Sequence, residues 1–408
     1  MGAFTKEDLK RFQAESLDDK IQRSLAKISE WYSRWNNEVY VSFSGGKDSS
    51  VLADICSRWC KVVGTKLYLV FVDTGLEYPE IRKHVSFFSD YLRDKYEIEV
   101  VLDILRPKMR FDEVIKKYGY PIISKEVGET VSQAKKGLET GQKYSYRLQK
   151  LKGELLDKNG NPSRFNVKKY EPLLHTDFNT SNKCCDVMKK SPVKKYEKET
   201  GKKPITAQMA CESKLREQKW LQNGCNGFDM VRPMSNPMSF WTEQDVLQYI
   251  KEEKIPIASV YGDVIEEDGK LITTGCERTG CIFCGFGCHL EKSPTRFEKL
   301  KETHPRQYQY CIEGGEYTWR GRVKNSGGWR DFDFINDDGE RMSPEEIERF
   351  MEELRTNENY KFTRTWVPNR QGLGMGHVFD ELNYIYGEGF ISYMSRSEWL
   401  DNLLGGDL

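Results

Sequence analysis

Apolar and polar positions along the first hundred residues predict helices separated by short strands. Residues 5–36 place apolar side chains at roughly helical spacing, which indicates an amphipathic helix. Three apolar, strand-like runs follow, and helical patterns separate them. This strand–helix–strand alternation predicts an α/β protein with a doubly wound parallel sheet. The strands are predicted at 39–43, 66–72 and 98–102, and the intervening helices at 49–60 and 80–95.

Beyond the third strand the periodicity is weaker. Residues 106–180 contain Lys-rich polar segments and are predicted as an insertion or loop region. Thr242 is predicted to cap a helix that runs to residue 250, because acidic residues occupy its first turn. Ser343, followed by Pro and two Glu, predicts another helix start. The chain has no run of eighteen apolar residues and no apolar signal core near Met1, so we expect a cytoplasmic protein without a membrane partner.

Charge is balanced overall but unevenly distributed. The formal net charge is zero. Residues 141–220 hold 19 Lys and Arg against 9 Asp and Glu, whereas residues 331–408 hold 7 against 17. These segments are either two solvated faces or a basic insertion that grips a polyanion together with an acidic tail. Both interpretations are compatible with the sequence.

The segment between the first predicted strand and its helix carries the clearest chemistry. Its glycines let the backbone approach an anion, and the first N–H groups of the helix can bind that anion. The serine hydroxyls can donate hydrogen bonds, the lysine supplies positive charge, and the aspartate can hold magnesium. The spacing is not that of a Walker loop. This predicted phosphate-binding loop consists of Ser44, Gly45, Gly46, Lys47, Asp48 and Ser49.

A second turn ends the next predicted strand with Asp73, Thr74 and Gly75. Ligands of parallel sheets bind at the carboxyl ends of strands, where both turns fall. Asp73 can contact a ribose or magnesium, or it can simply form the turn. Arg216 is a further candidate for binding a phosphate or sulfate, and an ordinary position on a helix surface is the alternative.

Taken together, these motifs resemble the PAPS-reductase-like family of the adenine nucleotide α-hydrolase, or PP-loop ATP pyrophosphatase, superfamily, near the DNA-phosphorothioation ATPase relatives. The resemblance covers roughly residues 36–290. It implies that the second turn, 73–75, and Arg216 contact the nucleotide. Because sulfonucleotide reductases usually carry a degraded loop, the intact loop implies that ATP itself is bound, with Mg²⁺. The segments that carry the resemblance are 44–49, 72–80, 183–192, 212–216 and 241–261.

The resemblance also implies a division of the chain. Residues 1–35 form an N-terminal helical segment, and residues 36–260 form the PP-loop domain with a basic insertion at 106–220. Residues 261–330 form a cysteine-rich segment, and residues 331–408 form an acidic C-terminal extension. The oligomeric state is left open by the sequence.

Eleven cysteines in a chain expected to be cytoplasmic indicate metal binding rather than disulfides. An iron–sulfur cluster or zinc would accept four thiolates. The resemblance implies a 4Fe–4S cluster, with zinc as the alternative, and two ligand sets are compatible with it. A cysteine outside the ligand set could act as a nucleophile or persulfide carrier, and Cys288 is the catalytic candidate. The first set is Cys276, Cys281, Cys284 and Cys288, and the second is Cys184, Cys185, Cys281 and Cys284.

The implied activity is cleavage of ATP to AMP and pyrophosphate in support of sulfur transfer to an adenylylated acceptor, with Lys47 and Asp48 as catalytic residues. The acceptor could be a nucleic acid, and a cysteine desulfurase or a redox donor could supply sulfur or electrons. One alternative is a phosphoadenylyl-sulfate or adenylyl-sulfate reductase that releases sulfite. A second alternative is a non-catalytic, nucleotide-sensing subunit of a defence complex.

Overall fold

The computed structural model describes residues 4–141, 145–336 and 338–393. The α-helices are α1 (Lys6–Gln13), α2 (Leu17–Arg34), α3 (Lys47–Val63), α4 (Pro79–Tyr96), α5 (Phe111–Tyr118), α6 (Lys125–Glu139), α7 (Tyr146–Lys152), α8 (Lys183–Cys185), α9 (Ser191–Thr200), α10 (Lys214–Asn223), α11 (Glu243–Glu252), α12 (Arg296–Thr303), α13 (Pro305–Ile312), α14 (Pro344–Glu353) and α15 (Met375–Tyr386). The strands are β1 (Val39–Ser42), β2 (Leu67–Val72), β3 (Val100–Leu105), β4 (Ile122–Ile123), β5 (Lys203–Ile205), β6 (Asn226–Gly227), β7 (Met234–Ser235), β8 (Val264–Glu267), β9 (Lys270–Thr273), β10 (Gly285–Phe286), β11 (Glu316–Asn325), β12 (Gly328–Phe332) and β13 (Tyr360–Val367).

The described residues form two compact units. The first combines residues from Met1–Lys108 and Val187–Ile282, and the second combines residues from Met109–Asp186 and Phe283–Leu408. Each unit is therefore assembled from two separate stretches of chain. The predicted phosphate-binding loop belongs to the first unit.

A six-stranded sheet forms the centre of the first unit, in the order β3-β2-β1-β5-β7-β6. β1 is parallel to both of its neighbours, with Val41 opposite Leu69 on one side and Ile205 on the other. Only β6 runs antiparallel, against β7. The strand order reverses beside β1, and ligands of open α/β sheets bind at such a reversal. The loop that follows β1 therefore lies where a ligand is expected.

Alternating side chains of β1 point to opposite faces of this sheet. Val39 and Val41 are buried in the main core, which includes apolar residues of α3 and α4. Tyr40 points to the opposite face, where it packs with Val70 and with Tyr196 of α9. Both faces are thus covered by helices, and the predicted doubly wound parallel sheet is confirmed.

Local signals explain where the observed elements differ from the predicted ones. The helix predicted over residues 5–36 is two helices, because Ser16 accepts a hydrogen bond from the Asp19 N–H and begins α2 anew. The third strand begins at residue 100 rather than 98, after Glu97 ends α4 in a left-handed conformation. Thr242 caps α11 as predicted, with its side chain accepting from the Asp245 N–H. Ser343 likewise caps α14.

The second unit contains a three-stranded antiparallel sheet, β12-β11-β13, and a short parallel pair, β10-β4. Residues 106–180, predicted to be irregular, contain α5, α6 and α7. α6 forms because Val127, Val131 and Ala134 make a buried stripe at helical spacing between its polar residues. Among the helices that the structure describes, none is long and apolar enough to cross a membrane.

Candidate phosphate-binding site

Gly45 gives the loop after β1 its shape. Its φ of +73° lies in the left-handed region, which favours glycine. A Cβ atom here would lie 2.8 Å from Val85 Cγ2 and 2.9 Å from Ile81 Cγ2, both on α4. Gly46 then caps α3 in an extended conformation, without a side chain that would cover the first N–H groups of the helix. The loop therefore presents helix N–H groups to a ligand, as an anion site requires.

The two loop serines hold the turn together. Ser49 Oγ donates to the Gly46 carbonyl oxygen at 2.9 Å and accepts from the Ser44 N–H at 3.2 Å. Ser44 Oγ lies 3.0 Å from Ser49 Oγ and accepts from the Gly46 N–H at 3.3 Å. These hydrogen bonds fix the loop before any ligand arrives.

Lys47 is buried at the start of α3, with only 3% of its surface exposed. Its Nζ lies 2.7 Å from Glu243 Oε1 and 2.5 Å from the Glu277 carbonyl oxygen. The backbone N–H of Lys47 points to the Tyr261 hydroxyl at 3.4 Å. A buried cation beside a helix N-terminus is suited to an anionic ligand, which would have to compete with the Glu243 carboxylate for it.

One carboxylate oxygen of Asp48 is buried in the loop. Its Oδ1 is inaccessible to solvent and has no hydrogen-bond partner in the part of the chain that the structure describes. Burial raises the pKa of this carboxyl, and the charges of Lys47 and Arg278 oppose that shift. A buried carboxylate oxygen normally has a partner, so an orphaned one beside a phosphate-binding loop fits a magnesium ligand.

Two arginines complete the charge around the loop. The Glu212 carboxylate forms ion pairs with both. Arg216 lies four residues further along the chain, and Arg278 Nη2 lies 2.6 Å from Glu212 Oε1. Burial lowers the pKa of Arg216, and the neighbouring charge of Arg278 lowers it further, while Asp48 raises it. Three cations, from Lys47, Arg216 and Arg278, thus face the same corner as Asp48. Their charge is balanced by Glu212, Glu243 and Asp48, so a polyphosphate would bind these cations by taking the place of the two glutamates.

The turn after β2 is closed by its own side chains. Asp73 Oδ2 lies 2.9 Å from Arg82 Nη2, and its Oδ1 accepts from the Gly75 N–H at 3.2 Å. The Thr74 hydroxyl donates to Glu77 Oε1 at 2.7 Å. β2 lies next to β1, so the turn at residues 73–75 and the loop at residues 44–49 follow adjacent strands at the same edge of the sheet.

A cavity of about 340 Å³ opens at this edge of the first unit. Its lining includes Ser44 after β1, Val72 at the end of β2 and Thr206 after β5. Thr279 and Gly280, from the segment that carries Arg278, also line it. Small-molecule sites commonly have volumes of about 300–1,000 Å³, so the cavity is large enough for a nucleotide.

Comparison with known families decides where this chain belongs. The model of the phosphoadenosine phosphosulfate reductase domain matches residues 38–146 and 138–285, which together make up more than half of the chain. The chain belongs to this family. Membership supports a nucleotide-using function, and the matched region includes every residue of the first unit that is described above around the loop.

Relatives of this phosphoadenosine phosphosulfate reductase domain protein include two uncharacterized proteins of Methanocaldococcus jannaschii. One is 26% identical over 310 residues, 75% of this chain and 55% of the relative. The other is 24% identical over 268 residues, 66% of this chain and 40% of the relative. The chain therefore spans about half the length of the relatives it matches. NMN synthetase from Francisella tularensis aligns over 59% of this chain and 72% of its own, with 14% identity and a TM-score of 0.28.

The cysteines that the family resemblance implied as ligands fall in both units. Cys276 and Cys281 belong to the first, and Cys184, Cys185, Cys284 and Cys288 belong to the second. In the second unit, Cys284 interacts electrostatically with Cys185 and Cys288. No three Cys, His, Asp or Glu side chains form a metal-binding group in residues 4–141, 145–336 and 338–393. These residues do not form a ready cage for a cluster or zinc, and the ligand assignment stays a prediction.

Cys288 is buried in the second unit. Its thiol lies 3.0 Å from the Gly285 carbonyl oxygen and donates to it. Burial raises the pKa of the thiol to about 12. A nucleophilic cysteine needs an accessible thiolate, which this environment disfavours. The catalytic role of Cys288 stays a prediction.

Four residues of the site had no role assigned from the sequence, although Glu212 and Tyr261 lie in segments that carry the family resemblance: Glu212, Glu243, Tyr261 and Arg278. Each is far from the loop along the chain. Arg278 lies between Cys276 and Cys281, and this segment was predicted to bind a metal. One signal was available for Glu243, which directly follows the helix cap Thr242 and so lies at the amino end of α11. Nothing in the sequence places Arg278 beside Glu212, because 66 residues separate them.

Proposed function

We propose that this protein binds ATP with Mg²⁺ at the loop formed by residues 44–49 and cleaves it to AMP and pyrophosphate. The observation that supports this most strongly is the buried Asp48 Oδ1, which has no hydrogen-bond partner among the described residues and lies next to Lys47, Arg216 and Arg278. A polyphosphate would engage all three cations in place of Glu212 and Glu243, which leaves the Asp48 oxygen for a metal ion. The intact loop sequence supports ATP rather than an adenylylated substrate.

In this proposal the phosphates lie over the amino end of α3. An oxygen of the acceptor attacks the α-phosphorus, and the bond from that phosphorus to the bridging oxygen breaks. Pyrophosphate leaves with the bonding electrons, and the acceptor becomes adenylylated. Lys47 and the two arginines stabilise the charge that develops on the phosphates. Bound Mg²⁺ would supply further charge neutralisation, with Asp48 as its protein ligand.

The adenylylated acceptor would then react with a sulfur nucleophile, and AMP would be the leaving group. The donor in this proposal is a persulfide supplied by a cysteine desulfurase, and the acceptor is a nucleic acid. The outer sulfur of the persulfide displaces AMP, and a second thiol then breaks the S–S bond, which leaves the sulfur on the acceptor and forms a disulfide with the donor cysteine. A 4Fe–4S cluster held by cysteine thiolates belongs to the same proposal. Iron and acid-labile sulfide analysis of anaerobically purified protein would test the cluster independently of activity.

The second candidate is a reductase of adenylyl sulfate or its 3′-phosphorylated form. The family match favours it, because the matching model is named for that activity. A reductase would release sulfite and would not need ATP.

The two candidates are separated by running two assays on one preparation. ATP with Mg²⁺ and nucleic acid is tested for pyrophosphate, and adenylyl sulfate is tested for sulfite, with Lys47→Ala and Asp48→Asn beside the unaltered protein. Pyrophosphate release that both substitutions abolish supports the first candidate. Sulfite release without ATP cleavage supports the reductase, and ATP binding without either product supports a nucleotide sensor.

A further inference from the structure

The three-stranded sheet of the second unit is basic, although part of it lies in the acidic C-terminal extension. Its strands, β11, β12 and β13, hold six Lys and Arg residues against Glu316 and Asp331, a net charge of +4. Of the acidic residues in 331–408, only Asp331 lies on these strands. The fold therefore gathers positive charge on this sheet, and the six cations are Arg320, Arg322, Lys324, Arg330, Lys361 and Arg364.

Helices cover one face of this sheet. Phe332 and Phe362 pack edge-to-face against Phe350 of α14, and Trp366 stacks on His377 of α15. Successive residues of a strand point to opposite faces, so the other face carries the intervening residues. This second face, here called the Trp329 face, contains Arg320, Arg322, Lys324, Trp329 and Lys361, of which Arg320, Lys324 and Lys361 are exposed.

Trp329 and Lys361 meet across the Trp329 face. Lys361 Nζ lies 4.3 Å from the centre of a Trp329 ring, although β11 separates the two strands that carry these residues. Both side chains therefore reach over β11 on the same side of the sheet. Proteins bind single strands of nucleic acid with aromatic rings that stand beside cations, because a base stacks on the ring and the cation contacts a phosphate.

The two lysines of the Trp329 face differ from its two arginines in their partners. Arg320 and Arg322 both pair with Asp331, and Arg320 also pairs with Glu139 of α6. Lys324 lies directly opposite Trp329 on the neighbouring strand. Neither Lys324 nor Lys361 forms an ion pair with any residue that the structure describes. Their charges flank the Trp329 ring without a carboxylate to neutralise them, which complements an anionic ligand.

We infer that the Trp329 face binds single-stranded nucleic acid. A base takes the place of the Lys361 ammonium on the Trp329 ring, and Lys324 and Lys361 contact the phosphates on either side of it. A duplex keeps its base faces stacked inside, and an acidic protein segment would pair with the lysines but would leave the ring unused. This surface deepens the proposed function and rests on it, because nucleic acid is the sulfur acceptor there.

The first test measures binding by the full chain in the absence of ATP. Fluorescence anisotropy follows a labelled DNA strand of about 20 nucleotides, an RNA strand of the same sequence and the matching DNA duplex. We expect at least one single strand to bind about tenfold more tightly than the duplex, and the DNA and RNA arms identify which strand it is. Absence of binding, or tighter binding of the duplex, would overturn the inference. Displacement of the oligonucleotide by an equal charge of polyglutamate would assign the face to an acidic protein instead.

Substitution of Trp329 tests the stacking contact. Trp329→Ala should weaken binding of the single strand about tenfold, because the base loses its ring. Trp329→Phe keeps an aromatic ring and should bind nearly as well as the unaltered protein. Thermal unfolding checks that both variants fold. If the alanine variant is unstable, the phenylalanine variant carries the test by its binding together with the lysine variants. Equal affinities of a folded Trp329→Ala and the unaltered protein would refute the stacking contact.

Substitution of the lysines tests the phosphate contacts. Lys324→Ala and Lys361→Ala should each weaken binding and flatten the plot of log K against log salt by roughly 0.7, since one phosphate contact is lost. Lys117→Ala is the matched control, because Lys117 is an exposed lysine of the same unit whose Nζ also lies over an aromatic ring, 5.4 Å from the centre of Tyr118. If Lys361→Ala has the affinity and salt dependence of this control, the role of Lys361 is refuted.

Pyrophosphate release assayed on the same preparation keeps the two failures apart. Oligonucleotide binding without pyrophosphate release refutes the proposed function and supports the Trp329 face as a binding surface. Pyrophosphate release without oligonucleotide binding refutes the Trp329 face and supports the cleavage of ATP.

Discussion

Lys47 Nζ lies 2.7 Å from Glu243 Oε1, so the cation at the start of α3 is paired with a carboxylate at the start of α11. The pair is asymmetric, because the Lys47 side chain is 4% exposed and that of Glu243 is 53% exposed. A phosphate that approaches the loop must displace the carboxylate or accept its repulsion. The pair therefore holds Lys47 in place before binding and opposes binding itself.

Replacing Glu243 with glutamine should tighten the binding of MgATP. The amide keeps a hydrogen-bond acceptor for Lys47 but removes the negative charge that opposes the phosphates. Because Glu243 is half-exposed and its charge is screened, the expected gain is about threefold to tenfold. Calorimetric titration at constant ionic strength measures it. Weaker binding in Glu243→Gln would show that the carboxylate helps to hold the ligand.

Asp48→Asn should increase stability and abolish pyrophosphate release. The substitution removes a charge whose pKa burial has raised, and it leaves a neutral group of the same shape. If Asp48 served the fold, its substitution would make the protein less stable. If it is kept for function at a cost in stability, its substitution makes the protein more stable. Thermal unfolding and a pyrophosphate assay on the same preparation give the two readouts. A lower melting temperature would contradict this account of Asp48.

Gly45→Ala should destabilise the protein more than Gly75→Ala. Both glycines have a φ near +75°, so both substitutions carry a backbone cost of about 1–2 kcal/mol. Only at Gly45 would the new Cβ also meet Val85 and Ile81, whereas nothing lies within 4 Å at Gly75. Denaturant unfolding of the two variants isolates the steric term. Equal losses of stability would mean that Val85 and Ile81 of α4 move away from the new Cβ without a measurable loss of stability.

Stability should fall as the pH drops from about 6.5 toward 4, in part through His84. The ring is buried and its Nε2 lies 3.3 Å from Ser50 Oγ, and burial lowers its pKa to about 4. Over this range the unfolded chain binds a proton that the folded chain does not, so the free energy of unfolding decreases. Its full contribution is on the order of 3 kcal/mol.

His84→Gln should flatten that part of the pH profile, because glutamine cannot take up the proton. Above pH 7 the His84 ring is neutral in both the folded and the unfolded chain. The free energy of unfolding should then not depend on pH through residue 84 in either protein. Urea unfolding at several pH values measures the difference. An unchanged slope between pH 6.5 and 4 in the variant would exclude His84 as its source.

The parts of the site that the sequence predicted are those whose residues are contiguous. Ser44 to Ser49 form one turn between a strand and a helix, so periodicity and glycine placement were sufficient to locate it. The cap at Thr242 was predictable for the same reason, since Asp245 lies only three residues away. Local hydrogen bonds determine both features.

The missing parts depend on contacts between distant stretches of chain. Glu212 and Arg278 are 66 residues apart and Lys47 and Glu243 are 196 residues apart, so only the tertiary fold brings each pair together. The chain also leaves the first unit at residue 108 and returns at 187, which no local pattern indicates. α6 escaped prediction because charged residues surround its narrow apolar stripe.

The most direct test of the central claim is to identify the nucleotide products. ATP is incubated with Mg²⁺, nucleic acid, a cysteine persulfide donor and the protein under anaerobic conditions, and the products are separated by anion-exchange chromatography, with Lys47→Ala as the control. The account predicts AMP and pyrophosphate in equal amounts from the unaltered protein and neither from the variant. ADP and phosphate that depend on Lys47 would show cleavage at the wrong bond and would contradict it.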